Sequence, residues 1–183
     1  GLLPQQPEAP TGLTVRDLVA MGRHPHRPLL AGWSAADEAA VARALELARL
    51  AELAERPLET LSGGQRQRVW IAMVLAQQTG ILLLDEPTTF LDIGHQGEVL
   101  DIMRRLNAEN GTTIVAALHD LGQAARHADH LVVMAGGAVV AQGPPGEVLT
   151  PELVEWVYGV RMRIFRDEES GLLVCLPLGR AGA

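Results

Sequence analysis

Two stretches a dozen residues apart constrain this chain more than any other feature: Leu61-Ser62-Gly63-Gly64-Gln65-Arg66-Gln67-Arg68, then Ile81-Leu82-Leu83-Leu84-Asp85-Glu86-Pro87-Thr88. The first predicts a loop that opens a helix. Ser62 caps it and Gln65, three residues on, reaches back in a capping box. Gly63 and Gly64 let a ligand approach the backbone closely. The start of such a helix presents unpaired N–H groups and a partial positive charge, which suits a phosphate. The second stretch predicts a buried parallel strand with Asp85 and Glu86 at its C-terminal edge, where open α/β sheets bind ligands. A phosphate cradle beside paired acids points to Mg²⁺-dependent phosphate chemistry. Taken singly, the first stretch is also how an ordinary capped turn reads, and the second how a strand ends in polar residues.

Together and in this order, the stretches resemble the signature motif and the Walker B segment of ABC ATPases. Flanking residues extend the resemblance. Pro87-Thr88-Thr89-Phe90-Leu91-Asp92 resembles the D-loop, although Asp92 is also placed to cap a helix beginning near Gly94. Thr112 to Leu118 is a β-branched strand, and His119, at the same sheet edge as the two acids, matches the switch histidine. Gln5 resembles the glutamine that ends an earlier strand, with Gln6 the neighbouring alternative; on residues alone, 1–6 reads as a loop. Gly22-Arg23-His24-Pro25-His26 is a poor metal site, having no nearby carboxylate or thiolate. It resembles instead the Gly-Arg-x-Pro-His segment of ATPases from iron-siderophore and vitamin B12 importers, and the run from Thr88 to Gln96 likewise resembles the siderophore-importer subfamily.

Composition bears on what is missing. All 15 basic residues are arginine. A P-loop of the form GxxxxGK(S/T) is therefore impossible within these residues, and with the start at Gly1 this gives the expectation of an N-terminally truncated cassette. The formal charge of −7 argues against a nucleic-acid duplex as partner. The single cysteine, Cys175, fits a reducing compartment and reads as a small buried hydrophobe. No segment has the apolar length to span a bilayer, and no signal peptide is apparent. With 48% apolar residues and few aromatics, the core is expected to be Leu, Val, Ala and Ile.

Along the chain, Thr14 with Asp17 and Ser34 with Asp37 predict two further capped helices. Val41, Leu45, Leu47, Ala48 and Leu50 form the apolar face of the second. The helix from Ser62 to Ala76 buries Val69, Ile71, Ala72, Val74 and Leu75; Arg66 and Arg68 near its start take a solvated face by default, the alternatives being a phosphate or an acidic neighbour. A helix from Gly94 to Asn107 carries Val99, Ile102, Met103 and Leu106. His127 and His130 fall beyond the next helix, at the surface. A hairpin at 131–141, two short helices and a strand pair in the tail complete the reading.

The resemblance implies an α/β fold: a P-loop NTPase-like parallel sheet with an inserted helical subdomain (about 12–60), the rest of the catalytic core (61–160) and a C-terminal tail (161–183), lacking the P-loop strand and the β-subdomain. In the family that strand lies beside the 81–84 strand, so a raw sheet edge and an apolar face are expected there. The implied roles are Asp85 on Mg²⁺, Glu86 polarising the water that attacks ATP, His119 on the γ-phosphate and Gln5 completing the metal and water shell. Ser62, Gly63, Gly64 and Gln65 bind the nucleotide of a second, head-to-tail ATPase subunit, with Asp92 at the seam. The implied partners are two permease subunits and, indirectly, a substrate-binding protein, at the cytoplasmic face of the membrane. The alternatives are an inactive remnant or partner-binding module, and a soluble ABC ATPase of DNA repair or translation; the coiled coil or doubled cassette of the latter is not seen.

Overall fold

The computed structural model describes residues 1–5, 10–27, 32–89 and 91–180. Gln6 and Phe90, singled out above, lie outside the described residues. The chain divides into two compact units, Gly1–Ala117 and Leu118–Ala183.

The first unit is built on helices whose starts are written in the sequence. Helix α1 (Val15–Met21), α2 (Ala35–Leu47) and α3 (Gly63–Ala76) each begin with a complete capping box, on Thr14 and Asp17, Ser34 and Asp37, and Ser62 and Gln65. Helices α1 and α2 both pack on α3, burying Val15, Val19, Val41, Val69 and Val74 completely. On α2 the apolar face is carried by Ala40, Val41, Ala44 and Leu45, whereas Leu47 is half-buried and Leu50 lies past the helix end. The turn to Leu50 runs through Arg49, whose φ is +54°.

The histidine-bearing segment after α1 is a clamp. Gly22 abuts α3 so closely that a Cβ there would lie 2.1 Å from the Met73 carbonyl oxygen. The buried Arg23 guanidinium donates to Asp37 Oδ1 at 2.9 Å, to the Ala76 carbonyl at 2.7 Å and to Gln78 Oε1 at 3.0 Å. It thereby satisfies a C-terminal carbonyl of α3. His26 Nε2 lies 2.6 Å from the Gln77 carbonyl.

The sheet is parallel and three-stranded, in the order β1 (Leu2–Leu3), β2 (Ile81–Asp85), β3 (Thr113–Ala117). Residues 2–3 are thus strand rather than loop. Two residues are too few to show periodicity, and the pairing comes from β2. Strand β2 alternates between exposure and burial instead of being buried throughout: Leu82 and Leu84 face the core, while Ile81 and Leu83 are 57% and 45% exposed. Leu2 and Val115 are exposed as well, at 59% and 56%, so an apolar sheet face is open. The expectation of a raw edge beside β2 is corrected, because β1 and β3 occupy both of its edges. Among the described residues the open edges belong to β1 and β3. Helix α4 (Ile93–Asn110) joins β2 to β3, buries Val99, Leu100, Ile102, Met103 and Leu106, and ends at Gly111 with φ +65°.

In the second unit, α5 (Leu121–His127) is followed by the hairpin of β4 (Leu131–Ala135) and β5 (Ala138–Gly143). Its turn, Gly136-Gly137, has φ of +57° and +81°, the positive values a tight hairpin needs. Helices α6 (Pro145–Val148) and α7 (Pro151–Tyr158) lead to the antiparallel pair β6 (Val160–Arg166) and β7 (Leu173–Arg180). His127 is the last residue of α5 and half-buried, not a surface residue beyond the helix. His130 is exposed.

Candidate active site

The tip of β2 is wired from within the unit. Glu86, the residue after the strand, has φ +49°, a region costly for a residue with a side chain and one that clusters at functional sites. Its carboxylate Oε2 accepts the Gln5 amide at 2.6 Å and the Thr89 hydroxyl at 3.0 Å. The Thr89 N–H closes the turn onto the Glu86 carbonyl at 3.1 Å. Two further amides hold the following loop: Gln67 of α3 donates to the Pro87 carbonyl at 3.1 Å, and Gln96 of α4 to the Leu91 carbonyl at 3.0 Å. Asp85 is exposed, in register with Ala117 of β3.

The start of α3 differs in kind. Ser62 Oγ accepts the Gln65 N–H at 3.2 Å and Gln65 Oε1 accepts the Ser62 N–H at 3.0 Å, so the Gln65 carbonyl is spent on the cap. Ser62 and Gly63 are exposed, and nothing lies within 4 Å of where a Gly63 Cβ would point. Gly64 instead backs onto the His95 ring, which a Cβ would meet at 3.0 Å. Asp92 caps α4, accepting the His95 N–H at 2.9 Å and lying 2.7 Å from His95 Nδ1. These bonds, the backbone one first, hold the Asp92 carboxyl below its ordinary value of 3.8.

Arg68 does not lie on a solvated face. It is buried and paired with Glu98 of α4 at 3.2 Å, and Glu98 also reaches Arg49 at 3.7 Å. Thr89, Gln67, Gln96, His95 and the Arg68–Glu98 pair escaped the sequence reading. The usable signal was the polar residues at i, i+3 on α4, His95 and Glu98, facing the start of α3.

His119 belongs to the second unit, two residues after Ala117 along the chain. There it lines a cavity of about 370 Å³ with Asp120, Tyr158, Met162 and Cys175. Cys175 is half-buried; burial, and then the Asp120 charge, push its thiol above the ordinary value. The first unit also has a cavity of about 250 Å³, lined in part by Gly80 and Thr112. Those residues precede β2 and β3, so it lies at the opposite strand ends from Asp85.

The donor set at the β2 tip suits Mg²⁺. That ion takes oxygen ligands, keeps much of its water and needs only one or two carboxylates beside substrate phosphates. Asp85 offers an exposed carboxylate, and Gln5, its NH₂ turned to Glu86, keeps its amide oxygen for a cation. No cluster of three His, Cys, Asp or Glu side chains that could hold a metal ion occurs among the described residues.

Comparison with known proteins bears on this geometry. The family profile described as ABC transporter matches residues 1–89. The ferric enterobactin transport ATP-binding protein FepC of Escherichia coli is 52% identical over 180 residues, spanning 98% of this chain and 66% of FepC. The achromobactin transport ATP-binding protein CbrD of Dickeya dadantii is likewise 52% identical, over 98% of this chain and 66% of CbrD. The chain thus spans just under two thirds of the length of these relatives. A chain of a solved metal-chelate type ABC transporter in an inward-facing conformation superposes with a TM-score of 0.86 and 30% identity, over 97% of this chain and 71% of that one. A capped glycine entrance, a wired glutamate at a parallel strand tip and these likenesses define one class: the chain belongs to the ABC transporter family.

Proposed function

We propose that the chain is part of the ATP-hydrolysing subunit of an ABC importer for iron-siderophore complexes. The observation that carries the reading is the Gln5 amide on the Glu86 carboxylate at 2.6 Å, across 81 residues of sequence. A carboxylate so held, on a strained backbone, is oriented before substrate arrives. Glu86 polarises the water that attacks the γ-phosphate of ATP. His119 contacts that phosphate, and Gln5 orients Glu86 and the water. Asp85 and the Gln5 amide oxygen would hold Mg²⁺, which supplies charge neutralisation on the phosphate oxygens.

Ser62, Gly63 and Gly64, with Gln65 fixing the cap, present the start of α3 to ATP held by a second, head-to-tail subunit, and Asp92 lies at that seam. The openness of Gly63 supports this, since nothing within the chain occupies its approach. A dimeric solved relative, the MJ0796 bacterial ABC transporter cassette, has a TM-score of 0.69 at 28% identity. The helices of 12–60 form the subdomain that docks a permease, 61–160 the core and 161–183 a tail. Two permease subunits and a substrate-binding protein complete the importer. None of the described helices is long and apolar enough to cross a membrane, and the subunit works at the cytoplasmic face through its permease contacts. The relative named for ferric enterobactin transport supports an iron chelate as the cargo.

The test is Mg-ATP hydrolysis and iron-siderophore uptake by the natural protein that carries this chain, together with its permease. Uptake that survives deletion of the gene overturns the importer assignment. These 183 residues contain no lysine for a P-loop, so on their own they bind Mg-ATP with a Kd above roughly 1 mM. Micromolar binding by calorimetry overturns that statement and the site assignment with it.

A further inference from the structure

We infer that His95 is a positioning residue that locks the glycine entrance of α3 to Asp92, so that both surfaces offered to a partner subunit move as one body. The inference rests on the reading of those surfaces given above, but its structural part stands on contacts within one unit. The His95 ring does two things at once. Its Nδ1 is 2.7 Å from Asp92 Oδ2, so the ring donates to the carboxylate that caps its own helix. Its Cγ and Cδ2 cover Gly64, where an added Cβ would come to 3.0 Å of both. That distance is tighter than ordinary van der Waals contact, so a side chain at 64 would push the ring by a few tenths of an ångström.

One turn further along α4, Glu98 meets Arg68 of α3 at 3.2 Å, with the Arg68 side chain only 11% exposed. Contacts 64 to 95 and 68 to 98 run down the same seam and tie α3 to α4 at two successive turns. A shift of the ring is therefore transmitted. If it tilts off Gly64, the bond to Asp92 lengthens; if Asp92 moves, the ring drags the start of α3. No flexible loop intervenes between the two.

The experiment uses the natural protein carrying this chain, with variants H95A, H95N, H95Q, G64A and the double variant G64A/H95A. Asn places an amide donor where Nδ1 stood, whereas Gln places it where Nε2 stood. H95A and H95Q are expected to lower kcat roughly tenfold with KM changed less than about twofold, as misplacement of a catalytic group does; H95N retains most of the turnover. G64A loses roughly 10²-fold, and removing the ring in G64A/H95A recovers about tenfold of that loss, since the two changes share one contact. A double variant no better than G64A, or H95A and H95Q at wild-type turnover, overturns the inference. If the wild type hydrolyses no Mg-ATP, the ATPase reading fails, and thermal melts of the same variants decide the contact. Non-additive melts for G64A and H95A uphold it, and additive ones overturn it.

Discussion

The tip of β2 and the start of α3 carry the two halves of the proposed chemistry, yet they are built in opposite ways. At the tip, Glu86 is held by Gln5, Thr89 and its own turn, all from the same unit. At the α3 start, the internal bonds end with the cap, and Gly63 looks into open space. A group that must place a proton acceptor is worth holding rigidly before substrate arrives. A group that must meet another subunit has to be left exposed, with its shape set from behind. His95 and Arg68 form that backing. On the proposed reading, the first group is held from within its own unit and the second is a half-site.

The largest effect should separate the two. Glu86→Gln in the natural protein keeps nucleotide binding and lowers turnover by roughly 10³-fold, as expected for loss of a proton-accepting group in a preorganised site. Turnover measured with radiolabelled ATP at wild-type level would remove Glu86 from its role. Next comes Gln5→Ala, which leaves the fold intact but frees the Glu86 carboxylate, with kcat down roughly tenfold to a hundredfold. If only KM moves, Gln5 holds nucleotide rather than Glu86. Ser62→Ala acts on the open site. It removes a helix cap worth about 1 kcal/mol, read in chemical denaturation, and lowers turnover only when two subunits meet.

The smallest effect compares two capping boxes. That of α2 is charged. The Ser34 hydroxyl and then the Arg23 guanidinium lower the Asp37 carboxyl from 3.8 to about 2. A carboxyl lowered on folding adds stability that is complete above its unfolded value and disappears as pH falls through the folded one. Melting temperature should therefore drop between about pH 4 and pH 2, with a shallower slope in Asp37→Asn. The box of α3 uses neutral Gln65 and adds no slope there. Equal slopes in the two proteins would remove Asp37 from this account.

What could be read in advance followed the range of the interactions. Capping boxes are decided within three residues, and all three were legible, as were the α4 stripe and the hairpin at 131–141. The acids at the end of β2 and the glycines before α3 were also plain, because the pattern there is local. Contacts between distant segments were not. The two-residue β1 exists only because β2 offers it a parallel edge. For Arg68 an acidic neighbour was one option beside the default solvated face, but nothing nearby in sequence reveals that Glu98 is that neighbour. Arg23 sat in what resembled a histidine cluster, and its partner Asp37 had already been assigned as a cap. The position of β2 at the centre of its sheet likewise depends on β1 and β3 both finding it.

The span between Gln5 and Glu86 has a consequence for biosynthesis. At ribosomal rates of 5–20 residues per second, the separation of 81 positions between them takes roughly 4 to 16 s to synthesise. During that time the glutamine waits without its carboxylate, while α1, α2 and α3 can already condense around their shared valines. The contact proposed as catalytic is then a late act of synthesis, made when the nascent β2 slides in beside a strand that left the exit tunnel long before.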